Sequence, residues 1–292
     1  MVGVVSQPDR PRGRGRAVSP SPVAACALRA GIPLLRPERV ADPDVEAGLR
    51  ALSPDLGVVV AFGQFLPRRI RELPRLGYLV NAHASLLPKL RGAAPIARAI
   101  LAGERETGIS VMRVEREMDA GAVALVRRTA IGDEEDAGSL EERLSYLAAD
   151  AIAEAVERIA GVGISWTPQP EGRTTFAPKL EREEARLDFG EPAEALVRRV
   201  RAFAPRPGAF TTLSGEPLRI LAATAEAGEA ADGGCSAPPG RVRREPGGGA
   251  LRIATARGWL VPKVLQRAGG RALAVAEFLR GARLEDGTLL PS

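Results

Sequence analysis

The chain has one histidine, His83, which lies two residues after an asparagine, Asn81. Residues 78–83 are predicted to form a strand, in which alternate side chains share one face. An amide donor beside an imidazole can stabilise a developing oxyanion while the imidazole accepts a proton. A lone histidine at a strand end also commonly satisfies local hydrogen bonds, so the spacing alone leaves a catalytic and a structural interpretation open.

A short acidic turn, Glu117-Met118-Asp119-Ala120-Gly121, could supply a carboxylate to that histidine. Such a carboxylate would orient the imidazole or favour its charged form. Glu115 and Glu117 compete with Asp119 for this role, and an Asp-x-Gly sequence is often only a turn. A single histidine excludes mechanisms that need two imidazoles and most metal sites built on histidine.

Alternating strands and helices are predicted to position these side chains. Strands are expected at residues 2–5, 56–61, 78–83 and 108–114, and helices at 22–30, 44–52, 67–73, 95–102 and 139–160. This order is typical of an α/β fold with a doubly wound, mostly parallel sheet. Asn81 and His83 would then lie at the carboxyl end of a strand, where open α/β sheets bind their ligands.

A second domain is predicted after a segment rich in glycine and proline. We expect a first domain at residues 1–163, a linker at 164–186 and a second domain at 187–292. The second domain begins with a predicted helix at 191–203, followed by short strands at 209–213, 218–223, 251–255 and 259–266 and a helix near 274–280. Many short strands separated by turns indicate a small β-barrel.

Composition and charge narrow the class of protein. The net charge is +5, and four arginines (Arg10, Arg12, Arg14 and Arg16) share one loop whose prolines and glycines disfavour a helix. Such a loop indicates either a solvated surface or a site for an anion such as nucleic acid. Cys26 and Cys235 lack the spacing of a zinc site or a disulfide framework. No apolar run has the length of a membrane span, so we expect a cytoplasmic protein without membrane contact.

A longer pattern surrounds the histidine: Asn81-x-His83-x-Ser85-Leu86-Leu87-Pro88, then Arg91-Gly92-Ala93-Ala94-Pro95-Ile96 and, further on, Met118-Asp119-x-Gly121. This pattern resembles that of the folate-dependent formyltransferases. Three further segments, residues 7–16, 176–185 and 201–208, are similar to the members that act on initiator methionyl-tRNA. The resemblance covers nearly the whole chain and implies a formyltransferase-like Rossmann domain followed by an OB-like barrel.

The resemblance implies a catalytic set of Asn81, His83 and Asp119. In such enzymes the amine of the aminoacyl-tRNA attacks the formyl carbon of 10-formyltetrahydrofolate, which gives a tetrahedral intermediate, and no metal is required. His83 would help to remove the amine proton and, with Asn81, bind the oxyanion, while Asp119 would hold His83 in place. Whether His83 acts as base or as electrophile stays open at the level of sequence.

The resemblance also implies the binding residues. The folate contacts would be Phe62, Gly63, Phe65, Ser85, Leu86, Leu87 and Pro88, although the apolar members of this set could equally fill the core. The tRNA contacts would be Arg10, Arg12, Arg14, Arg16 and Lys179, with Arg14 placed to read the end of the acceptor stem. The expected partners are folate and initiator methionyl-tRNA, and the expected state is a monomer.

The amino terminus departs from the family pattern, which begins with a strand, a Gly-Thr-Pro turn and a helix, on the order of 30 residues. We expect a start codon placed downstream of the true one, the alternative being a truncated and inactive chain. Two other functions stay open. One is formyl transfer to an amino-sugar nucleotide, and the other is a noncatalytic RNA-binding remnant.

Overall fold

A computed structural model describes residues 1–12, 17–229, 233–245, 249–282 and 284–291. The chain divides into two compact units. The first contains Met1–His83, Ile109–Arg127 and Ala148–Thr174, and the second contains Ala84–Gly108, Arg128–Leu147 and Thr175–Ser292. No helix in the described part of the chain is long and apolar enough to cross a membrane.

Strands and helices alternate through the first half of the chain, as predicted. The elements are β1 (Val4–Val5), β2 (Arg10–Arg12), β3 (Ala17–Ser19), α1 (Pro22–Arg29), β4 (Leu34–Leu35), α2 (Pro43–Ala51), β5 (Gly57–Val59), α3 (Arg68–Arg71), β6 (Leu79–His83), α4 (Pro95–Ala102), β7 (Glu106–Arg113), β8 (Val123–Ala130) and α5 (Ala137–Ala160). The sequence analysis did not predict β2, β3, β4 or β8. Three of these four have two or three residues, too few for a periodic pattern.

The central sheet has the strand order β5-β6-β7-β8. β5 and β6 run parallel, whereas β6 and β7 run antiparallel with His83 opposite Ser110. Val80 and Val111 are fully buried in these two strands. β1 and β4 form a separate parallel pair. The α/β class with parallel pairing is confirmed, but the sheet is mixed, because β7 starts beside the carboxyl end of β6 and runs back along it.

Local signals explain where these helices begin and end. Pro22 starts α1, and Oγ of Ser21 accepts the amide hydrogen of Ala24 at 3.0 Å. α4 ends at Gly103, whose φ of 73° is the left-handed conformation that glycine adopts without strain. The predicted start of α5 at residue 139 is wrong: the helix begins two residues earlier, and Asp136 accepts the amide hydrogen of Ser139 at 2.8 Å.

The carboxyl-terminal part contains a helix and an antiparallel sheet. Its elements are α6 (Ala193–Phe203), β9 (Ala209–Leu213), β10 (Glu216–Glu226), β11 (Val242–Arg244), β12 (Leu251–Ala254), β13 (Trp259–Arg267), β14 (Leu273–Ala274) and α7 (Val275–Gly281). The strand order is β11-β12-β13-β10-β9, and β14 pairs with β13. Leu196, Phe203, Ile220 and Leu260 are fully buried in the core of this part. The predicted short strands are therefore present, and they pair in an antiparallel sheet.

The predicted barrel is not closed by a strand pair between β11 and β9 in the ranges that the structure describes. The last residues of the chain occupy that position without forming a regular strand. The amide of Val242 in β11 donates to the carbonyl of Thr288 at 2.8 Å. Oγ1 of Thr211 in β9 donates to the carbonyl of Pro291 at 2.6 Å. A nonrepetitive segment thus satisfies backbone groups of β11 that strand pairing would otherwise satisfy, and it contacts β9 through a side chain.

Candidate active site

Strand β6 places the two central side chains of the candidate active site. Asn81 and His83 occupy alternate positions near its carboxyl end, so their side chains share one face. β7 fixes their positions, because Asn81 pairs with Met112 and His83 with Ser110. Asn81 is half-buried, whereas the His83 side chain is only 6% exposed. The arrangement predicted for this strand is therefore present.

Asp119 is the acidic residue that reaches the histidine. It lies in the turn between β7 and β8, and its Oδ2 is 3.5 Å from Nδ1 of His83. Its side chain is 14% exposed, so this approach takes place largely away from solvent. The two competing carboxylates are exposed, and Glu115 lies 3.8 Å from Arg71. The structure thus distinguishes Asp119 from Glu115 and Glu117, which the spacing alone leaves open.

The chemistry of the carboxylate determines what the imidazole can do. A carboxylate only accepts hydrogen bonds, so the hydrogen of the ring is favoured on Nδ1, which faces Asp119. In the neutral ring Nε2 is then the unprotonated nitrogen and the available base. The arrangement can accept a proton at Nε2 of His83 and place an amide donor, Asn81, along the same strand face.

Two contacts hold the turn that contains Asp119. A Cβ on Gly121 would lie 2.0 Å from the carbonyl oxygen of Arg113, so only glycine fits there. Nε2 of Gln169 donates to the carbonyls of Asp119 and Gly121, each at 2.8 Å. The sequence did not identify Gln169 as a site residue, because its segment, rich in glycine and proline, is typical of a linker.

The loop at residues 62–65 presents backbone and an aromatic ring to solvent. Gly63 has a φ of 76°, and the Phe65 side chain is 71% exposed. Phe62 is half-buried, and its carbonyl accepts a hydrogen bond from Nε2 of Gln7 at 2.5 Å. Oε1 of Gln64 accepts the amide hydrogen of Val40 at 2.8 Å. Phe65 therefore does not fill the core, and side-chain amides anchor the loop on both sides.

The residues that follow β6 form a tight turn. Ser85 is fully buried, and its Oγ donates to the carbonyl of Lys89 at 2.6 Å. Leu86, Leu87 and Pro88 are half-buried. These three residues are thus partly accessible, which suits ligand contact better than the core-filling alternative.

Two family models match most of the chain. The family model described as Formyl transferase matches residues 1–156, and the model Formyl transferase, C-terminal domain matches residues 179–283. The chain is 46% identical to a methionyl-tRNA formyltransferase of Chromohalobacter salexigens, over 99% of this chain and 89% of that protein. The chain belongs to the formyl transferase family.

Another relative and two solved structures are also similar to this chain. The methionyl-tRNA formyltransferase of Thermus thermophilus is 43% identical over 99% of this chain and 91% of that protein. The structure of an N-formyltransferase from Helicobacter canadensis with folinic acid and dTDP-3-aminofucose has a TM-score of 0.64 at 13% identity, covering 90% of this chain and 87% of that one. HypX from Aquifex aeolicus with tetrahydrofolic acid has a TM-score of 0.62 at 21% identity, covering 91% of this chain and 47% of that one. At these identities the two structures establish the fold alone.

The arginine loop of this formyl transferase is partly described. β2 and β3 form an antiparallel hairpin in which Arg10 pairs with Ser19. The Arg10 guanidinium lies 2.9 Å from Glu38, and both side chains are more than half exposed. The side chain of Arg12 and the whole of Arg14 and Arg16 lie outside the described residues.

Lys179, the remaining predicted tRNA contact, is exposed on a segment that Arg98 holds. Nη2 of Arg98 donates to the carbonyl of Lys179 at 3.1 Å, and the same guanidinium forms two hydrogen bonds with Glu184, at 2.6 and 2.9 Å. The Arg98 hydrogen bonds lower the pKa of Glu184 below its ordinary value. This ion pair fixes the backbone beside Lys179 and leaves the lysine side chain accessible. Among the described residues, no group of three or more histidine, cysteine or acidic side chains could hold a metal ion.

Proposed function

We propose that the protein transfers the formyl group of 10-formyltetrahydrofolate to the free amino group of initiator methionyl-tRNA. The observation that carries this proposal is the approach of Asp119 to His83 beside Asn81, in a chain 46% identical to a methionyl-tRNA formyltransferase. Transfer to an amino-sugar nucleotide is not favoured, because the sugar N-formyltransferase structure from Helicobacter canadensis shares only 13% of its residues with this chain.

The three central side chains have distinct roles in the proposed reaction. Formyl transfer to an amine needs an acceptor for the amine proton and donors for the negative charge that develops on the formyl oxygen. His83 accepts the amine proton at Nε2 and returns it to the nitrogen from which the formyl group departs. Asn81 donates its amide hydrogens to the oxyanion. Asp119 holds the imidazole through Nδ1 and stabilises its charged form.

The loop at 62–65 would bind the folate, which supplies the transferred formyl group. The exposed ring of Phe65 offers a flat apolar face, and apart from the chain neighbours of Gly63 the nearest described atom to a Cβ at that position is Nε2 of Gln7, at 3.8 Å. A flat pteridine can approach such a backbone closely, and Phe62 would add to the contact. The half-buried residues Leu86, Leu87 and Pro88 would also contact the folate, and buried Ser85 would hold their turn.

The four arginines of the loop and Lys179 would bind the acceptor end of the tRNA. Guanidinium groups pair with phosphates bidentately and stack on unpaired bases, which suits an RNA end. We place Arg14 at the terminal base pair and the other basic residues on the backbone. We also infer a cytoplasmic monomer, because Cys26 and Cys235 are free thiols and one chain supplies all three central side chains.

A formylation assay tests this function. The purified protein is given 10-formyltetrahydrofolate labelled in the formyl group, with initiator methionyl-tRNA or with a dTDP-linked amino sugar as acceptor. We expect label in the tRNA and none in the sugar, and a loss of about 10²- to 10⁴-fold in turnover for His83→Ala. Folded protein that labels the sugar, or that labels neither acceptor while binding tRNA, would refute the proposal.

A further inference from the structure

We propose that Gln169 is a positioning residue, which sets the orientation of His83 by fixing the backbone that directly follows Asp119, on both sides of Ala120. This inference rests on the proposed function, in which Asp119 holds the imidazole. Gln169 is separated from Asp119 by 50 positions in the sequence, yet its Nε2 is 2.8 Å from the carbonyl oxygens of both Asp119 and Gly121.

The two hydrogen bonds use the full donor capacity of one amide group. A carboxamide nitrogen carries two hydrogens, and each can reach one of the two carbonyls. A glutamate at this position would place acceptors against acceptors, and an asparagine is one methylene too short. The geometry is therefore specific to glutamine rather than to any polar residue.

The turn needs this support because its backbone conformation is unfavourable. Asp119 has a φ of 53°, in the left-handed region that residues with a side chain adopt less readily than glycine. A relaxed turn would direct the carboxylate elsewhere, since the side chain follows its own Cα. The hydrogen bonds to the carbonyls of Asp119 and Gly121 keep Asp119 in the conformation that places its Oδ2 3.5 Å from Nδ1 of His83.

The segment that contains Gln169 is itself anchored. Thr167 and Val123 exchange two backbone hydrogen bonds of 2.9 Å, just after the turn. Trp166 packs edge-on against Tyr78 with ring centroids 5.6 Å apart, and the Arg113 guanidinium lies 4.3 Å from the Tyr78 ring and 4.7 Å from the Trp166 ring. Gln169 thus extends from a fixed support, which is what a positioning residue requires.

The test uses the fact that the chain has one histidine. In tag-free protein labelled with ¹⁵N at histidine, the imidazole resonances belong to His83 alone. We expect Gln169→Ala and Gln169→Glu to move these resonances toward those of Asp119→Asn. The matched control is Gln266→Ala, because Gln266 also donates to a backbone carbonyl, that of Gly270 at 2.9 Å, but in a different hairpin. The control should leave the resonances unchanged.

Kinetics supply a second readout. We expect Gln169→Ala to lower kcat about 10-fold or more with both KM values within about 2-fold, and to add no further loss in the Asp119→Asn background. An unchanged imidazole spectrum in folded Gln169→Ala and Gln169→Glu, or an equal kcat loss with and without Asp119, would overturn the proposal. If wild-type protein formylates no acceptor, the proposed function fails, while the spectra still decide whether Gln169 positions the pair.

Discussion

Replacing Asp119 by asparagine keeps the shape of the side chain and removes its charge. The Oδ2 atom lies 3.5 Å from Nδ1 of His83, and the two side chains are only 14% and 6% exposed. At an effective dielectric constant of about 20, two opposite unit charges at this separation attract each other by about 5 kcal/mol. Because both side chains are largely buried, water screens this attraction only in part.

That attraction matters only when the imidazole is charged, which in the proposed mechanism is the state reached as the amine loses its proton. Because each 1.36 kcal/mol corresponds to about a factor of ten in rate, full loss of the attraction gives a ceiling of between 10³- and 10⁴-fold. An asparagine amide retains part of the contact, so we expect kcat to fall by about 10²- to 10³-fold. Both KM values should stay within about 2-fold, because Asp119 touches neither substrate in this mechanism.

The measurement is steady-state formylation of methionyl-tRNA with the concentration of each substrate varied in turn, and thermal unfolding checks that the variant is folded. The matched control is Asp150→Asn, an exposed aspartate on α5, which should retain wild-type turnover. An Asp119→Asn variant that is folded and turns over within about 3-fold of wild type would refute the role of the pair in catalysis, whatever the distance between the two groups.

Three further predictions concern stability and tRNA binding. Arg143 forms two 2.8 Å hydrogen bonds with Glu135 and lowers the pKa of that carboxyl below its ordinary value of 4.5. Because a lowered carboxyl pKa stabilises the fold at a pH above the ordinary pKa, Glu135→Gln should lower Tm by about 2–4 °C at pH 7. The difference in Tm between variant and wild type should vanish as the pH falls below 4.5 and through the lowered pKa. A Cβ on Gly92, at a φ of 125°, would lie 2.6 Å from the carbonyl oxygen of Ala177, so urea unfolding should show Gly92→Ala destabilised by about 1–3 kcal/mol. Gly215→Ala, with open space around its Cβ position, should lose less. Arg12→Ala, at a residue that we assign to the tRNA backbone, should weaken tRNA binding and reduce the slope of log K against log salt by about one, and a variant with an unchanged slope would exclude a phosphate contact there.

The central elements of the candidate site could be predicted because their signals are local. The run that forms β6 is short and apolar, and the spacing of Asn81 and His83 directly gives a shared face. The choice of Asp119 over Glu115 and Glu117 could not be made from spacing, because the left-handed conformation of the turn decides which carboxylate faces inward.

The missed features depend on contacts between distant parts of the chain. Gln169 lies in a segment with no periodicity, and only the folded chain brings it to the turn after β7. The start of α5 was assigned to Ser139 because a Ser-x-x-Glu pattern fits a capping box. Asp136 caps the helix instead, and both residues are common at that position, so sequence alone does not separate them.

The last residues of the chain have a consequence for biosynthesis. Thr288 and Pro291 hydrogen-bond to β11 and β9, more than 40 positions earlier in the sequence, and Leu290 is 2% exposed. These residues are synthesised after every strand they touch, so the outer edge of β11 lacks these partners until residues 288–291 have left the ribosome. Until then this edge is open to chaperones or to neighbouring nascent chains.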